Sequence, residues 1–381
     1  MIRICEPDIS GEEIGYVMDA LQKNELSGHG SHVKEFEKRF ADFIGVNCCI
    51  MVPNGTIAVQ LALAAMGIKA GDEVIVPSQT ISCVASSIVQ LGAMVVAVDV
   101  DRRSWALDAE KLEEAITDKT KAIIPTPVFA GIPPNMERVM EIAAAHDIMV
   151  LEDFAESIGA TYRYTKPDHL GWRKLGSIGD AGCCSFFANK NITTGEGGAV
   201  VTDQYWIEDK ARYLRNNAFG TSAETKFNAQ ELGYNFRPMN LQAAIGLGQM
   251  DRIYYLLNRR NSIFSWYKEY LSPEFEWQQW DIDRLEAVVW METVLVPKRR
   301  GLPQKSLFMD YLMKNGVESR PTFPPIGQQV FLNKMGMVRS HGEEVSQEIW
   351  DNGVILPSGG PNLTEDAVRV ICHAANRFIA Q

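Results

Sequence analysis

One lysine, Lys190, stands between an apolar run, Cys184-Ser185-Phe186-Phe187, and a glycine-rich turn, Thr194-Gly195-Glu196-Gly197-Gly198. A lysine ammonium is strongly hydrated, so an apolar flank of Phe186 and Phe187 would favour the neutral amine, which attacks carbonyls to form Schiff bases. Pyridoxal phosphate is the carbonyl compound to which that chemistry points. Taken alone, the same lysine also reads as a solvated loop residue, and other groups must decide.

Asp153 ends the apolar run Ile148-Met149-Val150-Leu151, a position from which a carboxylate could meet the pyridine nitrogen of such a cofactor. Asp153-Phe154-Ala155-Glu156 is equally a helix capping box. Asn54-Gly55-Thr56 lies where a strand gives way to a helix, so backbone N–H groups, the helix dipole and the Thr56 hydroxyl could seat a phosphate; an ordinary N-cap is the alternative. Ser185, five residues before Lys190, could add a hydroxyl. No Gly-x-Gly-x-x-Gly follows the first strand, and neither a Walker lysine motif nor a Gly-x-Ser-x-Gly elbow occurs. The six histidines show no metal-ligand spacing, so no metal site is expected.

The elements that must position these groups alternate from about residue 47. Short β-branched runs at 48–52, 73–76, 94–98, 122–125 and 148–151 alternate with helical patterns at 56–66, 83–91, 109–116 and 136–146. That rhythm predicts an α/β fold, a mostly parallel central sheet flanked by helices, with ligands at the carboxyl ends of the strands. Residues 199–202 read as a strand paired back across the glycine-rich turn, and 206–214 as a helix. A large domain, 1–240 with an N-terminal arm, is expected to precede a smaller α+β domain, 241–381. In the latter, 241–267, 304–314 and 365–378 have helical spacing and 287–296 alternates like a strand. Residues 161–177 read as a surface excursion.

Of the 381 residues, 46% are hydrophobic and 22% charged, an ordinary globular composition with room for two domains. A net charge of −11 argues against nucleic acid or an anionic membrane as the main partner and towards a small ligand. The seven cysteines read as reduced core thiols, and no signal pattern or membrane-length apolar run occurs, so a soluble cytoplasmic protein is expected.

The blocks Gly71-Asp72-Glu73-Val74-Ile75-Val76-Pro77-Ser78, Leu151-Glu152-Asp153-Phe154-Ala155-Glu156, Ser185 to Lys190 with Ile192 to Gly198, and Gly233-Tyr234-Asn235-Phe236-Arg237 give the chain a specific likeness. It resembles the DegT/DnrJ/EryC1/StrS sugar aminotransferases, fold-type I pyridoxal phosphate enzymes, over nearly its full length. Within that family the likeness is greatest to members that make GDP-perosamine, through Gln242-Ala243-Ala244-Ile245-Gly246-Leu247 and Glu318-Ser319-Arg320-Pro321. The resemblance implies pyridoxal 5′-phosphate held on Lys190, with Asp153 at its ring nitrogen, Gly55, Thr56 and Ser185 at its phosphate, and Glu156 beside the ring. It further implies a homodimer with shared active sites, in which Asn235 reaches the cofactor phosphate of the neighbouring subunit.

The activity so implied is amino transfer from glutamate to a nucleotide-linked keto-sugar, GDP-4-keto-6-deoxymannose first, in surface-glycan synthesis. Other UDP- or dTDP-linked 3-keto or 4-keto sugars are the alternative. A dehydratase would replace the lysine by histidine, and a cofactor-binding regulator would add a DNA-binding module. Two positions depart from the family pattern. Ile81 stands where an aromatic ring usually stacks, costing about 1 kcal/mol of stacking, and Thr322-Phe323-Pro324-Pro325 replaces an aromatic and histidine. Arg237 and Arg320 could grip a carboxylate or phosphates, or form ion pairs only. His29, in Ser27-Gly28-His29-Gly30-Ser31, belongs to a loop that resembles the family's N-terminal active-site loop.

Overall fold

A computed structural model describes residues 1–165, 170–220, 222, 225–299 and 304–380. Five strands, β1 (Cys48–Val52), β2 (Glu73–Pro77), β3 (Met94–Val98), β4 (Thr120–Ile123) and β5 (Met149–Asp153), come from the β-branched runs. Next in the chain are β6 (Thr161–Tyr164) and β7 (Gly171–Lys174), then β8 (Ala181–Ser185) and β9 (Gly198–Thr202). The C-terminal third adds β10 (Glu276–Trp277), β11 (Leu285–Glu286), β12 (Thr293–Leu295), β13 (Arg320–Pro321), β14 (Val338–His341) and β15 (Gly353–Ile355).

The central sheet has the order β1-β9-β8-β5-β4-β2-β3-β14. Only β9 runs against its neighbours β1 and β8. The other pairings are parallel. Side chains alternate between two apolar layers. Cys49, Met51, Ile75, Val96 and Val150 face one, with Phe36, Phe40 and Phe186. Ile50, Val52, Val74, Val76 and Leu151 face the other. A sheet covered on both faces by helices needs such continuous apolar strands, which is why these runs carry hardly a polar residue. Polar groups are left at the strand ends.

Several expectations need correction. The pattern over 241–267 forms two helices, Asn240–Asp251 and Ile253–Tyr270, broken where Arg252 turns to bond Asp8 and Glu13. Residues 109–116 make a 3₁₀ turn and one α-turn instead of a full helix. Over 287–296 only Thr293–Leu295 is strand, because the Trp290 and Met291 N–H groups both donate to Phe129 O, 3.1 Å each, which bends the segment out of any ladder. The stretch 161–177 is no bare excursion: β6 and β7 pair, β11 joins them, and Tyr162 and Tyr164 are buried. Its residues 166–169 lie outside the described ones. β14, late in the chain, pairs with β3 at the edge of the central sheet.

Five of the seven cysteines are buried and all are unpaired. Among the described residues, no helix is long and apolar enough to cross a membrane, and no cluster of His, Cys, Asp and Glu could hold a metal.

Candidate active site

Because β1, β2, β5 and β8 are parallel, their carboxyl ends open on one edge, and a cavity of about 940 Å³ lies there. Gly55, Thr56, Ile81, Asp153, Glu156, Ser185, Lys190 and Arg320 all line it. Residues scattered over more than 260 positions of sequence thus meet because each follows a strand end or a sheet edge.

Lys190 rides the turn joining β8 to β9, its N–H donating to Phe187 O at 2.9 Å. The flank expected from Phe186 and Phe187 is not what surrounds its amine. Phe186 packs into the core, edge-on to Phe36 and Phe40, and Phe187 is exposed. The amine instead lies 3.7 Å from the centre of the Trp290 ring and donates to Glu156 Oε1 at 3.4 Å. The negative face of an indole attracts an ammonium, so Trp290 and Glu156 together hold a cation in a nearly dry place.

Asp153 closes β5 with only 5% of its surface exposed. No helix follows it, so it caps none. Its Oδ1 accepts the Ala155 N–H at 3.2 Å. Burial pushes this carboxyl up to about 6, against the pull of that N–H and of the Lys190 charge. Burial likewise raises Glu156, opposed by Lys190 and by the Phe129 N–H that donates to Oε2 at 2.8 Å. It also takes the Cys83 thiol in the same cavity to about 11, with the Asp153 charge adding to the shift.

Asn54 does cap the helix Gly55–Ala65, its Oδ1 accepting the Ile57 N–H at 2.9 Å. The cap and the anion seat are compatible, since the helix N-terminus still faces the cavity through Gly55 and Thr56. A Cβ on Gly55 would lie 2.6 Å from Ser185 Cβ, so only glycine lets the start of this helix close on the end of β8 and bring these groups together. Ser185 Oγ accepts the Phe187 N–H at 3.2 Å. Ile81, 39% exposed, presents an aliphatic face.

A lysine amine, a buried strand-end carboxyl and a glycine-tight helix N-terminus with two hydroxyls are what a phosphorylated pyridine aldehyde requires. These residues fit pyridoxal phosphate. Arg320 lines the cavity mouth from β13, half exposed and 3.6 Å from Glu318.

His29, Asn235 and Arg237 do not line the cavity of their own chain. Asn235 is exposed and bridges to Asn216, whose Oδ1 accepts from Arg237 Nη1 at 2.8 Å. The His29 loop packs on the same segment, a Cβ on Gly28 falling 2.6 Å from Pro238 O. Sequence reasoning missed Trp290. It stands in Val289-Trp290-Met291, a run whose apolar types say strand and carry no sign of an indole facing a lysine.

The profile of the DegT/DnrJ/EryC1/StrS aminotransferase family matches residues 7–376. A GDP-perosamine synthase of Caulobacter vibrioides is 40% identical over 85% of this chain and 85% of its own. Among solved structures, a GDP-4-keto-6-deoxymannose-3-dehydratase variant with bound GDP-perosamine superposes with a TM-score of 0.88 at 25% identity, over 98% of this chain and 100% of that one. The pyridoxal phosphate form of a sugar aminotransferase from Streptococcus pneumoniae gives 0.86 at 25% identity, over 98% of each chain.

Proposed function

Since the chain belongs to the DegT/DnrJ/EryC1/StrS aminotransferase family, we propose that it transfers the amino group of glutamate, through pyridoxal phosphate, to GDP-4-keto-6-deoxymannose, giving GDP-perosamine. The observation that carries this reading is the meeting of Lys190, Asp153 and the Gly55–Thr56 helix start in one cavity. The 40% identical perosamine synthase supports the sugar.

Bound pyridoxal phosphate supplies an electron sink that lets an amino acid give up its α-proton and leave its nitrogen behind. Gly55 and Thr56 would hold the phosphate with backbone N–H groups, aided by the Thr56 and Ser185 hydroxyls. Asp153 would keep the ring nitrogen protonated. Its burial makes that pairing strong, because a carboxylate with one backbone donor and little water gains most from a cationic partner. Ile81 would pack on the ring without aromatic stacking.

Lys190 would be the covalent seat of the cofactor and, when free, the base that takes the α-proton of the amino donor at Nζ. Glu156 Oε1 and the Trp290 face keep that amine within the cavity. A lysine rather than a histidine at 190 favours amination over dehydration. Arg320 would face the negative part of the substrate at the cavity mouth.

The same reading has the chain act as a cytoplasmic homodimer, with His29, Asn235 and Arg237 completing the partner's cavity. It divides the chain at residue 240, the cavity lying between the two parts.

Incubation of the cofactor-loaded protein with nitrogen-labelled glutamate and GDP-, UDP- and dTDP-linked 3-keto and 4-keto sugars, read by product mass, tests this. Label in GDP-perosamine is expected. Label in a UDP- or dTDP-sugar alone would replace the substrate, and label in none would remove the reading.

A further inference from the structure

Lys190 sits in a turn, where backbone carbonyls have no ladder to pair with, and a buried carbonyl without a donor is costly. Arg260, from the helix Ile253–Tyr270, supplies the donors. The residue is 7% exposed. Nη2 donates to Asn189 O at 3.0 Å and to Lys190 O at 3.2 Å, and Nη1 to Ser358 O at 2.6 Å and Trp290 O at 3.1 Å. Nη2 also lies 3.7 Å from Cys5 Sγ, which itself points at Asn189 O at 3.6 Å. The four Nη hydrogens thus match four carbonyls. Among the described residues no carboxylate hydrogen-bonds this guanidinium.

The Trp290 indole N–H donates to the same Asn189 O, at 2.8 Å. Arg260 therefore fixes both ends of one side chain: the backbone from which Lys190 springs, and the carbonyl of the residue whose ring receives its amine. Gly359 keeps room for this, since a Cβ there would fall 2.2 Å from Nη1. Lysine could not substitute, because one ammonium at a point cannot span four carbonyls on three segments. Catalysis by proton transfer depends on placing the amine to within a fraction of an ångström, and a turn alone does not hold that.

We propose that Arg260 is the positioning residue of Lys190, clasping the Asn189–Lys190 turn to Trp290 and Ser358 so that the amine is held on the indole face. The inference rests on Lys190 being the reactive lysine. Its deciding test, acetylation of the lysine, is run without cofactor or substrate, so it can fail while that assignment stands.

The Lys190 side chain is 10% exposed. Competitive acetylation of the cofactor-free protein with acetic anhydride, read by peptide mass, reports how freely its amine leaves the seat. Lys305 is the internal control, because its amine also lies on an indole, 3.6 Å from the centre of the Trp350 ring, and a general loosening would free it too. In Arg260→Met the labelling of Lys190 should rise roughly tenfold with Lys305 unchanged. In the loaded enzyme kcat should fall about a hundredfold with KM for the keto-sugar unchanged. Unchanged or slower labelling of Lys190, or equal release of both lysines, would overturn the proposal. If Arg260→Met does not fold, Gly359→Ala, which pushes the guanidinium off its carbonyls, decides by the same outcomes.

Discussion

Burial that pushes the Asp153 carboxyl up to about 6 makes its charge a load on the folded protein. A carboxyl raised above its unfolded value stabilises the fold while protonated. That stability is complete below the unfolded pKa and is lost as pH rises through about 6. Asp153→Asn keeps the acceptor for the Ala155 N–H and removes the charge. Without cofactor it should therefore exceed the wild type by about 2 to 3 kcal/mol at pH 8, a gap closing towards pH 4, as followed by denaturant unfolding. With cofactor the same variant should lose at least about a hundredfold in kcat/KM, because the ring nitrogen loses its partner. A gap that widened as pH fell would mean that Asp153 is not a buried, strained acid. A second residue, Ile81, lends itself to gain of function. Ile81→Phe should slow cofactor dissociation about fivefold, the equivalent of one stacking contact of about 1 kcal/mol, measured by dilution and absorbance.

At the scale of elements, the site depends on how closely the start of the helix Gly55–Ala65 approaches the end of β8. Gly55→Ala drives a Cβ to 2.6 Å from Ser185 Cβ, so the helix start must shift. Melting should report a loss of about 1 to 3 kcal/mol, and cofactor affinity should fall more than Lys190 acetylation changes. The strand runs and their polar ends were legible because a sheet buried on both faces enforces long β-branched stretches, and chemistry collects where they stop. Asp153, Gly55, Thr56 and Ser185 are readable for that reason. Trp290 and Arg260 were not. The backbone around Trp290 is set by two N–H groups that converge on Phe129 O, a contact across more than 150 positions that leaves no period in the sequence. Arg260 lies in an ordinary amphipathic helix and resembles any surface arginine until its four carbonyls are seen. The break at Arg252 was equally hidden, since its cause is Asp8 and Glu13 at the other end of the chain.

In the whole molecule, His29, Asn235 and Arg237 share a surface outside their own cavity, which is the expectation for residues that serve a neighbour. Exposed apolar side chains accompany them: Ile14, Met18 and Leu21 on the helix Gly11–Gln22, with Leu232 and Met239. A twofold pairing would cover this surface and bring Asn235 to the partner's phosphate seat. Asn235→Asp, which sets a carboxylate against that phosphate, should lose about tenfold or more in cofactor affinity. At cofactor concentrations below the weakened Kd, Asn235→Asp should be nearly inactive alone, and Lys190→Ala should be inactive at any concentration. Mixed and re-annealed, they should regain activity, because one site of each mixed dimer then has both wild-type residues. No recovery on mixing would place Asn235 outside any shared site.

The claim on which the rest depends is that Lys190 carries the cofactor. Loading the protein with pyridoxal phosphate, reducing with borohydride and mapping the product by peptide mass tests it most directly. The account predicts a pyridoxyl phosphate adduct on the peptide containing Lys190 and on no other, abolished in Lys190→Ala. An adduct spread over surface lysines, or one that survives in Lys190→Ala, would contradict it.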